Sequence, residues 1–360
     1  MADRGTKVKV GLIGVNHPHA RAHLRTLQLL DEVESVVAWD EGERVLALLK
    51  QDMGQKLETT VTALDKFLAR PDVPIVVILA PNNRNPDLVI RAAGAEKHVI
   101  SEKPGAANSA DMSRILNVVR HAGVRLSFYY QWRFHPISRD IRNLIAQGAL
   151  GRLMSIEARM VTSQVRFRDP SHWLFKKGTA GGGILSWLGC HWIDLLRFLV
   201  QDEVEAVSAF VGTLNGEAID VEDTATVSMR FTNGALATLH AGYLLPRSVS
   251  GYTGATYDTY LAIRGLDGYV TWSPMEEPVL RAESVTPGWV DAPRREFKYS
   301  LSSSEAYGGT YGMAFVRQFI RSALYKETPP NTGDDALRVL RIIEAAYQSS
   351  ATGQTVKVVQ

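Results

Sequence analysis

The chain of 360 residues contains a single cysteine, Cys190. One thiol excludes an intramolecular disulfide framework and any zinc site built mainly on thiolates. Charge of one sign is equally scarce: 40 basic against 38 acidic side chains leave a formal net charge of +2. That balance provides no general electrostatic footprint for nucleic acid. No continuous apolar run approaches the roughly 18 residues of a membrane helix, and the longest candidates, such as Val73–Pro81, are strand-sized. The opening Met1-Ala-Asp-Arg-Gly-Thr-Lys runs from charged residues directly into a strand pattern, without the apolar centre of a secretory signal. These absences lead us to expect a soluble cytoplasmic protein with no membrane or nucleic-acid partner.

What is present is ordinary globular composition, 45% hydrophobic and 22% charged, enough for a real core. The length suits two domains at roughly 150 residues each. In the first third, strand-like runs (residues 7–13, 33–39, 75–80, 98–101 and 124–130) alternate with helical spacing at 20–30, 64–68, 87–95 and 110–122. Such alternation implies a doubly wound parallel sheet, a Rossmann-type α/β domain placed at 1–126. The remainder, 127–360, changes rhythm. Helical patterns at 136–147, 185–200, 314–324 and 336–348 flank longer alternating runs at 154–161, 204–212, 223–231, 235–244, 256–264 and 268–272. Asn233-Gly234 between two of them signals a hairpin. The second half is therefore expected to be α+β with a large, open, mostly antiparallel sheet. Residues 274–293 read as surface loop interrupted by a strand.

Gly11-Leu-Ile-Gly14-Val-Asn16-His17-Pro18-His19 joins the first strand to the first helix. That context suits a diphosphate-binding turn, where a helix N-terminus presents free N–H groups. Counted from Gly14, the second and third glycines of GxGxxG are replaced by Asn16 and His19. Asp40 ends the second strand and can accept the adenosine ribose hydroxyls, while Glu41 beside it repels a 2′-phosphate. NAD is thereby favoured over NADP. His17 and His19 show no nearby third ligand for a metal, and no metal is expected.

Further segments carry a resemblance. They are Ala80-Pro81-Asn82, Ser101-Glu102-Lys103-Pro104, Tyr130-Gln131-Trp132-Arg133, Gly148-Ala-Leu-Gly151 and Gly181-Gly-Gly-Ile-Leu-Ser-Trp187-Leu-Gly189-Cys-His191-Trp-Ile-Asp194. In this order they resemble the Gfo/Idh/MocA family, that of glucose–fructose oxidoreductase and inositol dehydrogenase, along essentially the whole chain. The resemblance implies an NAD(P)-binding Rossmann domain and a second domain that binds substrate and whose open sheet builds a homodimer or homotetramer. It also implies a sugar, cyclitol or related polyol as substrate. It places Gly14, Asn16, His17, Asp40, Pro81, Asn82, Glu102, Lys103 and Gln131 around the cofactor. Lys103, His191 and Asp194 become the catalytic set, and Arg133, Trp173, Trp187 and Tyr257 join them around substrate. Pro104 commonly follows a cis peptide bond.

Oxidising a secondary alcohol requires a hydride acceptor and a base for the hydroxyl proton. His191 is the natural base, its unperturbed pKa near about 6.5, and a cationic Lys103 would stabilise developing alkoxide charge. His191 and Asp194, three apart on one helix, share a face, so Asp194 can bond a substrate hydroxyl or orient the imidazole. The family pattern often has an acid four residues before the histidine; this chain has Trp187. Either another carboxylate orients His191, or substrate stacks on Trp187, or hydride chemistry is weakened. Cys190 is expected to be a small buried apolar residue, and Arg166 and Arg168 to be exposed. Two alternatives to a dehydrogenase stay open: redox-neutral glycoside cleavage or epimerisation through a transient keto-sugar, and a catalytically retired nucleotide- or sugar-binding regulator.

Overall fold

The computed structural model describes residues 7–51, 56–246 and 256–359; the reading of Met1–Thr6 lies outside them. Along the chain come β1 (Val8–Ile13), α1 (Ala20–Leu29), β2 (Val33–Trp39), α2 (Glu43–Gln51), β3 (Leu57–Val61), α3 (Leu64–Leu68), β4 (Ile75–Ile78), α4 (Asn85–Gly94), β5 (His98–Ser101), α5 (Ser109–Ala122) and β6 (Leu126–Phe128). Next are α6 (Pro136–Ala146), β7 (Leu153–Ser163), α7 (Lys177–Ala180), a π-helical turn (Leu185–Gly189) and α8 (Cys190–Val200). Then follow β8 (Val204–Gly212), β9 (Thr224–Phe231), β10 (Leu236–Leu245), β11 (Tyr257–Gly265), β12 (Gly268–Trp272), β13 (Val279–Ser284) and β14 (Arg294–Lys298). The chain closes with α9 (Gly309–Tyr325), α10 (Gly333–Thr352) and β15 (Val356–Lys357).

Two compact units emerge: Met1–Phe134 with Ser302–Leu337, and His135–Leu301 with Arg338–Gln360. In the first, six strands form a parallel sheet in the order β3-β2-β1-β4-β5-β6. This is the doubly wound order whose ligand crevice lies at the carboxyl ends of the central strands. All four residues of β4 are buried, as a strand covered on both faces requires. Asn108 caps α5 by accepting the Asp111 N–H at 2.8 Å, and Gly123 ends it with φ +68°. The contacts do not divide at 126/127, which falls within β6. Residues 302–337 also return to this unit, because Phe315, Val316, Phe319 and Ile320 of α9 are buried in one cluster with Val10, Leu12 and Leu24.

The second unit is built on a nine-stranded sheet, β14-β13-β12-β11-β7-β10-β9-β8-β15. Its pairings are antiparallel except β7 with β10, which run parallel. β9 alternates buried and exposed residues, and the Asn233-Gly234 turn joins it to β10 with Gly234 at φ +87°. The sequence pattern passes over β3 and β14, which end their sheets and bury no residue fully; α2 is passed over as well. The helical stretch Lys177–Val200 is long and apolar enough to cross a membrane by length and composition, although His191, Asp194 and Arg197 interrupt its apolar run. Instead, 89% of its most apolar 18-residue window is buried inside the fold, so its apolarity serves the core.

Candidate active site

At the end of β1 the chain must turn tightly against the end of β4. Gly14 does so at φ +84°, and a Cβ there would stand 1.9 Å from the Leu79 carbonyl oxygen. Its N–H donates to the Trp39 carbonyl at 2.9 Å. Asn16 needs no left-handed backbone, for it is absent from the positive-φ residues Glu96, Gln201 and Lys326 among the described non-glycines. Its N–H instead donates to Asp40 Oδ2 at 3.1 Å, and the Gly42 N–H donates to Asp40 Oδ1 at 2.9 Å. The carboxylate expected at the ribose is thus fastened to the turn expected at the diphosphate.

The two histidines of this turn are accommodated by a buried acid. His17 is 6% exposed, and its Nδ1 accepts the His19 N–H at 3.1 Å. His19 Nδ1 lies 2.9 Å from Glu102 Oε1, and His23 Nε2 lies 2.7 Å from the same oxygen. The other oxygen accepts the Lys103 N–H at 3.2 Å. The His19 ring also packs 4.5 Å from that of Tyr307. Burial by itself would raise the Glu102 carboxyl, but His19 and His23 outweigh it and hold it well below the usual carboxylate range. Burial pushes the two imidazoles of the turn, His17 and His19, down, His17 furthest, with the nearby Lys103 charge acting in the same direction.

The expectation that His17 and His19 lack a third ligating neighbour is corrected, because ligand atoms of His17, His19 and Glu102 lie within 4.8 Å of one another. The chemistry of the cluster still disfavours a cation. Glu102 accepts two imidazole contacts and an amide, and the positive Lys103 is close enough to depress His17 and His19.

Lys103 itself is 1% exposed, and its peptide bond to Pro104 is cis. Asn85 Nδ2 steadies this loop by donating to Ser101 Oγ at 2.9 Å and to the Gly105 carbonyl at 2.6 Å. Asn82 is buried and Pro81 partly so, at the end of β4. Gln131, buried on a 3₁₀ turn after β6, sits two residues before Arg133, whose guanidinium pairs with Asp335 at 3.1 Å.

In the second unit the triple glycine has a steric cause. A Cβ on Gly183 would stand 1.8 Å from the Glu222 carbonyl oxygen, and one on Gly182 would stand 1.9 Å from the Tyr347 hydroxyl. The Glu222 carboxylate accepts the Gly183 and Leu185 N–H groups at 2.8 and 2.9 Å and the Tyr347 O–H at 3.0 Å. Burial raises the Glu222 carboxyl, with these donors opposing. An acid therefore closes the amino end of the helical segment that carries the expected base, as a helix N-terminus favours. The segment begins with a π turn, a departure frequent at functional sites, and then places His191 (4% exposed) and Asp194 (1% exposed) on α8.

Cys190 is fully buried, its Sγ 3.5 Å from the Trp187 carbonyl. Trp187 is 4% exposed and packs in a core with Val165, Phe175, Ile184 and Tyr243, its ring 6.1 Å from half-buried Trp173. Tyr257, half-buried at the start of β11, has its hydroxyl raised by burial, with Arg168 opposing. Arg168 is a second correction: expected at the surface, it is 9% exposed. It lies 3.4 Å from Thr162 Oγ1 and 5.3 Å from the Tyr243 ring centre, whereas Arg166 is exposed. Sequence reasoning placed Arg168 at the surface and missed Glu222 and the His19–Glu102–His23 cluster. Only the three consecutive glycines hinted at a close neighbour for Glu222 to be.

Residues 8–130 match a family described as an oxidoreductase family with an NAD-binding Rossmann fold, and residues 138–271 match its GFO/IDH/MocA C-terminal domain. Myo-inositol 2-dehydrogenase of Thermotoga maritima is 27% identical over 354 residues, covering 97% of this chain and 98% of that protein. A scyllo-inositol 2-dehydrogenase (NADP(+)) of Bacillus subtilis is 25% identical over 367 residues, covering 97% and 95%. The fold is shared with levoglucosan dehydrogenase solved with NADH and levoglucosan, at a TM-score of 0.86 and 22% identity over 99% of this chain and 100% of that one. With both of its halves matched by the same family, the chain belongs to the Gfo/Idh/MocA family of NAD(P)-dependent oxidoreductases.

Proposed function

We propose that this protein is an NAD-dependent dehydrogenase or reductase acting on a secondary hydroxyl of a sugar, cyclitol or related glycoside, with Lys103 and His191 serving the reacting oxygen. The observation that carries the reading is the buried Lys103, 1% exposed beside Glu102. Burying an ammonium is expensive, and its place directly after Glu102 on a nucleotide-binding fold gives the expense a chemical purpose. Relatives named for inositol and levoglucosan support the substrate class.

The residues present fit the cofactor. Gly14 keeps the turn before α1 clear of any Cβ, and Asp40 is held beside it by two amides. Gly14, Asn16, His17, Asp40, Pro81, Asn82, Glu102, Lys103 and Gln131 would hold NAD, which supplies the hydride acceptor or donor. Lys103 stabilises negative charge on the substrate oxygen. His191 removes the hydroxyl proton in oxidation and returns it in reduction. Asp194, one helical turn on, orients the imidazole or a neighbouring hydroxyl. Arg133, Trp173, Trp187 and Tyr257 bind substrate, and the open face of the nine-stranded sheet forms a homodimer or homotetramer.

The test is titration of NAD, NADH, NADP and NADPH into cofactor-stripped protein, followed by a polyol and sugar panel read at about 340 nm, the reduced nicotinamide band. NAD(H) binding together with substrate-dependent absorbance is expected. Binding of none of the four nucleotides would overturn the reading, and nucleotide binding with a silent panel would overturn the substrate class.

A further inference from the structure

A cavity of about 370 Å³ in the first unit is lined by Trp39, Glu41, Thr62, Asn83, Arg84 and Asp87, among others. It adjoins Asp40 at the end of β2 and the turn leaving β4, where doubly wound sheets take their nucleotide. In this architecture a carboxylate after the second strand receives the ribose hydroxyls, whereas an arginine nearby accommodates a 2′-phosphate. Here both groups are present. Asp40 is fastened by the Asn16 and Gly42 amides. Arg84 Nη2 lies 2.6 Å from Glu41 Oε1, the residue immediately after Asp40. Two further acids lining the cavity are paired in the same way, Asp65 with Arg91 at 2.5 Å and Asp87 with Arg114 at 3.3 Å.

We infer that the Glu41–Arg84 pair sets cofactor selectivity: Arg84 is a latent ligand for a 2′-phosphate, and Glu41 keeps it from that role. This rests on the reading above that the unit binds NAD. Glu41 acts twice, by engaging the guanidinium and by adding negative charge next to Asp40. Both side chains are more than half exposed, 55% and 61%. A pair in water is weak, so removing the acid leaves the arginine able to swing onto a phosphate. Arg91 is the poorer candidate, because it lies seven residues further along α4 and its partner Asp65 is on α3.

The experiment measures NAD and NADP dissociation constants for the wild type, Glu41→Gln, Arg84→Gln, Arg91→Gln and the two double variants carrying Glu41→Gln. Thermal unfolding confirms that each variant folds. We expect the wild type to favour NAD, and Glu41→Gln to shift the NADP-to-NAD affinity ratio toward NADP by roughly fivefold or more, the size of a released exposed ion pair together with the lost Glu41 charge. The shift should shrink to the part owed to the lost Glu41 charge when Arg84→Gln is added. No shift in Glu41→Gln, a shift undiminished by Arg84→Gln, or one reduced only by Arg91→Gln would each overturn the assignment, as would an NADP-preferring wild type. Failure of the wild type to bind either nucleotide would instead remove the functional reading beneath it.

Discussion

His19 Nδ1 lies 2.9 Å from Glu102 Oε1, joining the residue at the third glycine position of the nucleotide turn to the acid that precedes the buried Lys103. The missing glycine is therefore not simply tolerated. Its replacement supplies one of two imidazoles that keep a buried carboxylate charged.

Restoring the glycine should for that reason destabilise the protein. His19→Gly removes a hydrogen-bonding partner from Glu102 and the ring packed on Tyr307. A loss of about 1–3 kcal/mol is expected, the scale for a buried group deprived of a partner, read from urea unfolding. A stability equal to or above that of the wild type would refute the compensating role.

Lys103→Ala should lower kcat/KM at least about 100-fold, the scale for removing a group that stabilises an oxyanion. The loss should fall mainly on kcat, because the charge acts most strongly on the transition state. Steady-state rates on the best substrate of the panel decide it, and a change confined to KM would make Lys103 a binding residue only.

His135 makes acid sensitivity calculable. Its Nδ1 accepts the Ile137 N–H at 3.2 Å, capping α6, and burial lowers its pKa to about 4. Between about 6.5 and 4 the unfolded chain carries a proton that the folded chain refuses, so stability falls as pH drops through that window. The loss is on the order of 3 kcal/mol by pH 4. His135→Asn keeps a capping side chain without a titrating ring, and should flatten that part of the stability–pH curve. A curve as steep as the wild type's would assign the effect elsewhere, His17 and His19 being depressed in the same direction.

Glu222→Ala should destabilise the second unit by about 2–4 kcal/mol, since two buried amides and the Tyr347 hydroxyl lose their acceptor. Tyr347→Phe should lose only about 1 kcal/mol, one hydrogen bond of three. Differential scanning calorimetry separates the two variants, and equal losses would show that the carboxylate is not the organising group.

Replacing Trp187 by the acid usual in the family should fail. Trp187→Glu puts a charge among Val165, Phe175, Ile184 and Tyr243, and burying it without a partner unfolds or severely weakens the protein. Trp187→Phe should fold with a loss of about 1–3 kcal/mol. If Trp187 contacts substrate, as proposed, KM should also rise in the phenylalanine variant; an unchanged KM would leave the indole as core alone.

Local pattern by itself determined much of this protein. The buried run before Pro81, the β-branched run ending at Trp39 and the helical spacing of residues 64–68 each appear at or near the expected bounds. Hydrophobic period and turn chemistry are properties of neighbouring residues, and need no distant partner to be legible. The Glu-Lys-Pro and triple-glycine motifs likewise marked one close-packed turn in each unit. What tertiary structure alone decided are pairings across long separations: Glu102 with His19, 83 residues apart, and Glu222 with Gly183, 39 apart. It also decided the burial of Arg168, the parallel pairing of β7 with β10, and the return of α9 to the nucleotide-binding unit. A side chain's own sequence neighbours do not determine these, because which donor meets which acceptor depends on how far apart packed elements bring their atoms. Periodicity tells a residue to be inside, and only the fold tells it against whom.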